Sequence, residues 1–320
     1  MNKELPRQII RAVLFLLLLA MLLSVFSQIY RPRDNTRSGG MYYNEAHGYM
    51  SIPADELDMF SVGCSNFYNS IDPLRLWQQK GITSYDMSTG GQRVYESYYH
   101  LKEIFRDYHP QLIVLDAYTV MREGSGDDAI FTASSYYYPV FFYHNNWKIY
   151  DLDLILSPIH YTYRSENKGY RPGSRVNQVE EEPYMNPTDE NASFPLMNRL
   201  FLRMIQSLCK ENQAQLLLVA MPGPAIWDYS SHNVMEAEAA KLGIDFLDLN
   251  MVLDEVGIDF QTDYRDDGDH LNDTGAMKVT DYLGNLIAEK YQLQDHRGDP
   301  AYAQWDEDLA DAERFGEDNA

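Results

Sequence analysis

The stretch LDMFSVGCSNFYNSIDP, Leu57–Pro73, decides how the chain is read, because an apolar run is cut off by Gly63 and followed at once by Cys64 and Ser65. Apolar residues ended by glycine read as a buried strand leaving a sheet, with the next hydroxyl held at the edge of the core. Two roles suit Ser65 there. It can begin a helix, its oxygen accepting from the unpartnered N–H groups of the first turn, or it can act as a nucleophile at the sheet edge.

Outward from this strand the chain alternates apolar runs with helical patterns, as βαβ units do. After the expected strand Leu57–Val62, a short helix near Leu74–Lys80 leads to the strand ITSYDMS, and the turn TGG opens a helix over Val94–Tyr108. QLIVLDAY, Gln111–Tyr118, is almost continuously apolar and reads as a parallel strand buried on both faces. Residues 119–194, rich in Tyr, Asn, Ser and Gly, break the alternation and are predicted to form an insertion with its own helices, packed over the sheet. The alternation resumes with a helix over Leu196–Asn212, the strand AQLLLVAMP, a helix near Asn233–Leu242, the strand IDFLDLN and a last helix over Thr274–Tyr291. The reading is an α/β fold of five parallel strands with helices on both faces. Right-handed crossovers leave few topologies, and sites in such sheets lie beyond the carboxyl ends of the strands, where Ser65 falls.

With 320 residues and 45% hydrophobic side chains, the chain can bury one large domain with appendages. A formal net charge of -22 repels a phosphate backbone, which argues against nucleic acid as a partner. Cys64 and Cys209 are too few for a disulfide framework and lack the spacing of a zinc site. AVLFLLLLAMLLSVFSQI, Ala12–Ile29, is long and apolar enough to cross a bilayer. Basic residues flank it on both sides, Lys3, Arg7 and Arg11 before and Arg31, Arg33 and Arg37 after, so charge alone does not orient it. A short basic start before a long domain favours an uncleaved signal-anchor with the domain outside, over a signal peptide cut near Ser27. The expected organisation is a membrane helix with flanks over 1–33, a linker over 34–54, an α/β domain over 55–293 and an acidic, disordered tail over 294–320.

A second stretch, YRDDGDHLNDTGAMKVTDYLG, Tyr264–Gly284, brings His270 through an acidic loop to the start of the final helix. Asp267 stands three residues before it. A carboxylate beside an imidazole fixes the tautomer, so that the other ring nitrogen can take a proton from a serine. Asn272 or Asp273 would cap the following helix and hold the loop. A calcium loop counted from Asp263 fails, since Arg265 and Thr274 would fall at ligand positions. The remaining alternative is a solvated capping loop with an incidental histidine.

VGCS and DGDH, at opposite ends of one α/β domain, resemble the first and last blocks of the SGNH hydrolases, the GDSL-type esterases and lipases. The resemblance covers about Asp55 to Leu293 without the insertion. It implies a flavodoxin-like three-layer α/β/α fold with strand order 2-1-3-4-5, and a triad of Ser65, Asp267 and His270. It also implies an oxyanion hole from the backbone N–H groups of Ser65 and of Gly91, or else Gly90, in STGGQ; glycine lets the backbone approach the oxyanion closely. The third block departs from the family: LDAYTVMREG stands where a Gly-x-Asn-Asp motif is usual.

That departure, the membrane helix and the insertion look more like the envelope branch of the superfamily, similar to proteins of teichoic-acid D-alanylation and exopolysaccharide O-acetylation. The expectation is a single-pass cell-membrane protein with an extracytoplasmic serine esterase or O-acyltransferase domain, acting on acyl esters of an envelope polysaccharide or teichoic-acid-like polymer. No metal or organic cofactor is implied. A membrane-bound O-acyltransferase is a further candidate partner. The alternative is a catalytically weak SGNH-like protein that binds such a polymer or such a partner.

Overall fold

The apolar runs form five short parallel strands: β1 (Met59–Val62), β2 (Ser84–Asp86), β3 (Leu112–Asp116), β4 (Gln215–Ala220) and β5 (Asp245–Asp248). Their order, β2-β1-β3-β4-β5, comes from a computed structural model that describes residues 4–180 and 183–318. The helices are α1 (Glu4–Tyr30), α2 (Ser65–Tyr68), α3 (Pro73–Lys80), α4 (Val94–Asp107), α5 (Ala117–Met121), α6 (Gly126–Tyr137), α7 (Val140–Tyr143) and α8 (Leu152–Leu156), then α9 (Leu196–Glu211), α10 (Tyr229–Leu242), α11 (Leu253–Val256), α12 (Asp273–Tyr291) and α13 (Ala303–Asp318). The chain divides into two units, one of residues 1–44 and 125–163, the other of 45–124 and 164–320.

In the second unit the sheet buries both faces, so its strands need apolar residues at successive positions. Ile113 and Leu115 of β3 join one cluster with Leu101 and Ile104 of α4 and Leu202 and Ile205 of α9. Leu112 and Val114 point the other way, into a cluster with Val279, Leu283 and Ile287 of α12. The register pairs Met59 with Ser84 on one side and with Leu112 on the other, which brings the carboxyl ends of β1, β2 and β3 to one edge. Helix α12 begins at that edge. Asn272 caps it by accepting from the N–H groups of Thr274 (3.0 Å) and Gly275 (3.2 Å), while its amide donates to the Thr262 carbonyl at 2.7 Å. The cap thus ties the loop before α12 to its own start.

The first unit holds α1, whose segment Arg7–Tyr30 is 24 residues long with a mean hydropathy of 2.8, long and apolar enough to cross a bilayer. Around its end, the Val140 N–H donates to Ser27 Oγ at 3.3 Å, and the buried Asn146 amide donates to the carbonyls of Tyr30 (3.0 Å) and Gly40 (3.2 Å).

Three boundary expectations are corrected. Residues 34–54 are folded rather than a linker: Asn35 makes a reciprocal pair of 2.8 Å bonds with the Tyr163 backbone in the first unit. Tyr49 is buried in the second, where Tyr108 Oη donates to the carbonyls of Tyr49 (2.8 Å) and Ile52 (2.9 Å). Sequence polarity hid this, because the stretch folds through backbone-bonded turns and a single 3-10 turn at Gly48–Ser51 instead of through an α-helix or a strand. The insertion after β3 is present, but only residues 119–124 and 164–194 of it run with the sheet; 125–163 belong to the unit of α1. The tail is not disordered over its described residues. Trp305 of α13 is wholly buried 5.7 Å from Trp77, whose indole donates to Asp306 at 3.0 Å. Asp308 pairs with Arg164 at 2.7 Å and with the buried Lys168. Average composition misled here, since Trp305, Leu309 and Ala312 recur at helical spacing on one inward face.

Candidate active site

The turn after β1 has no room for a side chain at its first residue. A Cβ on Gly63 would sit 2.5 Å from Asp116 Cβ and 2.9 Å from Phe67 Cγ, so only glycine lets β1 turn directly into α2. Asp116, at the end of β3, is fully buried and holds the turn. It accepts from the Cys64 N–H (3.4 Å), the Cys64 thiol (3.3 Å), the Thr119 hydroxyl (2.6 Å) and the Tyr118 N–H (2.9 Å). Burial pushes its carboxyl above the usual range, opposed by these hydrogen bonds. Burial first, and then the Asp116 charge, push the Cys64 thiol far up, which leaves it an inert neighbour.

Ser65 is the first residue of α2 and stays partly open to solvent. Its Oγ lies 2.7 Å from Nε2 of His270, and Nδ1 of that ring lies 2.5 Å from Oδ2 of Asp266. The structure thus joins Ser65 and His270 across 205 residues of sequence. The expected partner Asp267 is not in this chain of bonds. It is exposed and accepts from the Asn177 amide at 3.1 Å. The loop turns at Gly268, where φ is +97. Asp266 faces inward, its Oδ1 accepting from the N–H groups of Asp269 (3.0 Å) and His270 (2.9 Å). Burial would raise the Asp266 carboxyl, but these N–H groups and the imidazole outweigh it and hold the group below its ordinary value. Asp269 stands further off, 3.7 Å from Nδ1.

The turn Gly90–Gly91 lies against this site. The Thr89 N–H donates to the Gly63 carbonyl at 3.3 Å, and Gln92 accepts from the Thr89 N–H and hydroxyl at 3.1 and 2.9 Å. Gly91 has φ +73, a conformation that favours glycine, and both glycines are exposed. Two stacked arginine–tyrosine pairs border the turn. Tyr68 Oη is 3.6 Å from where a Gly90 Cβ would be, with the Arg171 guanidinium 4.2 Å over the Tyr68 ring. An Arg122 nitrogen is likewise 3.6 Å from a Gly91 Cβ position, and that guanidinium lies 5.7 Å over Tyr118. Among the described residues neither arginine forms an ion pair, in a chain whose net charge is -22. Sequence reasoning missed Asp266, Asp116, Arg122 and Arg171; Asp116, the first polar residue ending a continuous apolar strand, carried the clearest signal.

Fold and geometry together define a doubly wound α/β protein with a hydrogen-bonded serine, histidine and carboxylate at the carboxyl edge of its sheet. The strand order and the Ser65–His270 pair are those that the resemblance to the SGNH hydrolases implies. No family model and no curated protein matches the sequence. Among solved structures, the chain is similar to a protein described as an acylhydrolase from Bacteroides fragilis, with 14% identity, a TM-score of 0.41 and coverage of 80% of this chain and 99% of that one. It is also similar to a GDSL-like lipase from Bacteroides thetaiotaomicron, at 13% identity and TM-score 0.37 over 78% and 95% of the two chains. A described lipolytic protein of the G-D-S-L family from Desulfitobacterium hafniense gives 12%, 0.37, 71% and 98% in the same order.

Proposed function

We propose that the chain is a membrane-anchored serine esterase or O-acyltransferase of SGNH type, with its α/β unit outside the cell membrane, acting on acyl esters of an envelope glycan. The observation that carries this reading is the 2.7 Å approach of Ser65 Oγ to His270 Nε2. With Nδ1–H donating to Asp266, Nε2 is left free to accept the serine proton. As Oγ bonds to the acyl carbon, its proton passes to Nε2 and the carbonyl electron pair moves onto oxygen. The N–H groups of Ser65 and Gly91 are the proposed donors to that oxyanion. Collapse breaks the bond to the glycan oxygen, which leaves with the proton from Nε2. Water or a second hydroxyl then attacks the acyl-Ser65 by the same steps reversed, giving hydrolysis or transfer.

Arg122 and Arg171, which form no ion pair among the described residues and face the Gly90–Gly91 turn, favour a polymer that carries negative charge, since guanidinium groups recognise carboxylate and phosphate. The apolar length of α1 supports the anchor. The test is release or transfer of acetate from an O-acetylated acidic glycan by the full chain in detergent. Turnover lost in both Ser65→Ala and His270→Ala is the expected result. Turnover retained in Ser65→Ala overturns the reading.

A further inference from the structure

We propose that the segment α6–α8 is a lipid-binding platform that lies in the outer headgroup region of the bilayer beside α1. This rests on reading α1 as a membrane helix.

The depth of the contacts carries the argument. Within the first unit, α7 is fastened to α1 at Ser27, and an open cleft of about 470 Å³ is lined by Ser24 of α1 with Ala133, Ser134 and Tyr137 of α6. Ser27 and Ser24 lie three and six residues before the end of the apolar span at Tyr30, or about 4.5 and 9 Å along a helix at 1.5 Å per residue. Interfacial helices bury their apolar faces about 5–10 Å into a bilayer. Packed on α1 at that level, α6 and α7 are therefore at lipid depth wherever α1 spans the membrane, and the next turn, whose Asn146 donates to the Tyr30 carbonyl at the end of the span, is at headgroup level.

The surface of the segment suits that place. Ile130, Ser134 and Tyr137 fall on one face of α6 at helical spacing, and Ala133 and Ser134 of that face meet the cleft. Trp147, Leu152 and Leu156 are exposed at 60%, 69% and 73% of their surface. Large apolar side chains exposed so close together in sequence mark an interaction site, and tryptophan and tyrosine settle at headgroup level. Lys148 lies 5.8 Å over the Trp147 ring, a cation at the same level. The occupant is lipid rather than a second protein because α6 and α7, which begin this segment, pack on α1 itself. Asp127, Asp128, Asp151 and Asp153 on the same segment make the attachment an apolar one that salt should not release.

The experiment uses the full chain reconstituted in phosphatidylcholine vesicles. Cys64 and Cys209 are both buried, so a cysteine introduced by Trp147→Cys or Leu156→Cys takes a polarity-sensitive probe selectively, with Glu313→Cys as the control site on the α/β unit. The expected result is quenching of the first two probes by lipids labelled near the headgroup, with several-fold protection from an aqueous quencher that reaches the control freely, in low and high salt alike. A chain that resists alkaline extraction, yet whose two probes are as open to the aqueous quencher as the control, overturns the platform alone. Release of the whole chain by alkaline extraction overturns the anchor and the platform with it. Loss of both lipid quenching and protection at Trp147→Cys when Leu152→Ser and Ile130→Ser are added supports an apolar seat; protection unaffected by that pair overturns it.

Discussion

Replacing Asp266 by asparagine removes one charge from the hydrogen-bonded chain and leaves its shape. The amide oxygen can still accept from the N–H groups of Asp269 and His270, now at 3.0 and 2.9 Å, so the loop should hold. The amide NH₂ would then face Nδ1, which must accept, and the ring proton moves to Nε2, where it can no longer take the proton of Ser65. In a serine protease with a buried aspartate this change costs about 10⁴-fold. Asp266 is less sheltered, with 37% of its side chain exposed, and Asp269 stands 3.7 Å from Nδ1 as a weaker substitute. Both points reduce the loss, to about 10²–10³-fold in kcat/KM, or about 3–4 kcal/mol of transition-state stabilisation. Asp267→Asn should stay within about twofold, because that carboxylate is exposed and accepts from the Asn177 amide rather than from His270. The assay is hydrolysis of an acetyl ester of a small chromogenic alcohol by the two variants side by side. A larger loss in Asp267→Asn than in Asp266→Asn refutes the assignment.

Trp305→Ala should cost about 3–5 kcal/mol of stability, since it empties a wholly buried site against Trp77; an unchanged urea midpoint would mean that α13 does not pack. Asp86 is buried at the end of β2 and burial pushes its carboxyl to about 7, opposed by hydrogen bonds from Ser88 and Ser61. Between the unfolded value of about 3.9 and that of the native state the folded chain holds a proton the unfolded one has lost. Its stabilising contribution is therefore full below about pH 4 and falls as pH rises through 7, by at most about 1.4 kcal/mol per pH unit. Asp86→Asn should abolish that slope in urea melts across the window, and parallel slopes in the two proteins would contradict it. Arg122→Gln and Arg171→Gln should each lower kcat/KM on an acidic acylated polymer by about 10–100-fold, the range for one charge-assisted hydrogen bond, and leave a small neutral ester nearly unaffected. Equal losses on both substrates would place these residues outside polymer recognition.

The sheet was legible because both its faces are buried: LIVLD and QLLLVA can be little other than inner strands, and Gly63 marks where β1 must turn. Ser65 and His270 were legible for the same reason, each being the polar residue that follows a forced turn or precedes a capped helix. The choice between Asp266 and Asp267 was not, because a spacing of three or four residues before His270 is equally open until the folded loop brings Asp266 to Nδ1 and Asp267 to Asn177. The pairing of α13 with α3 was hidden in an acidic segment whose anchor is one tryptophan and whose charges are used pairwise, Asp308 with Arg164 and Lys168. Nor could sequence tell that the halves of the insertion belong to different units, since both are rich in tyrosine and neither has a clean period.

If Ser65 is a nucleophile activated by His270, a fluorophosphonate probe applied to the full chain should leave its adduct there, which peptide mass spectrometry can map. One modified residue is expected, Ser65, with labelling lost in Ser65→Ala and reduced nearly as far in His270→Ala, because the two act as one proton-transfer unit. An unlabelled Ser65 under conditions that modify a control serine hydrolase, or labelling at Ser65 that is indifferent to His270→Ala, would contradict it.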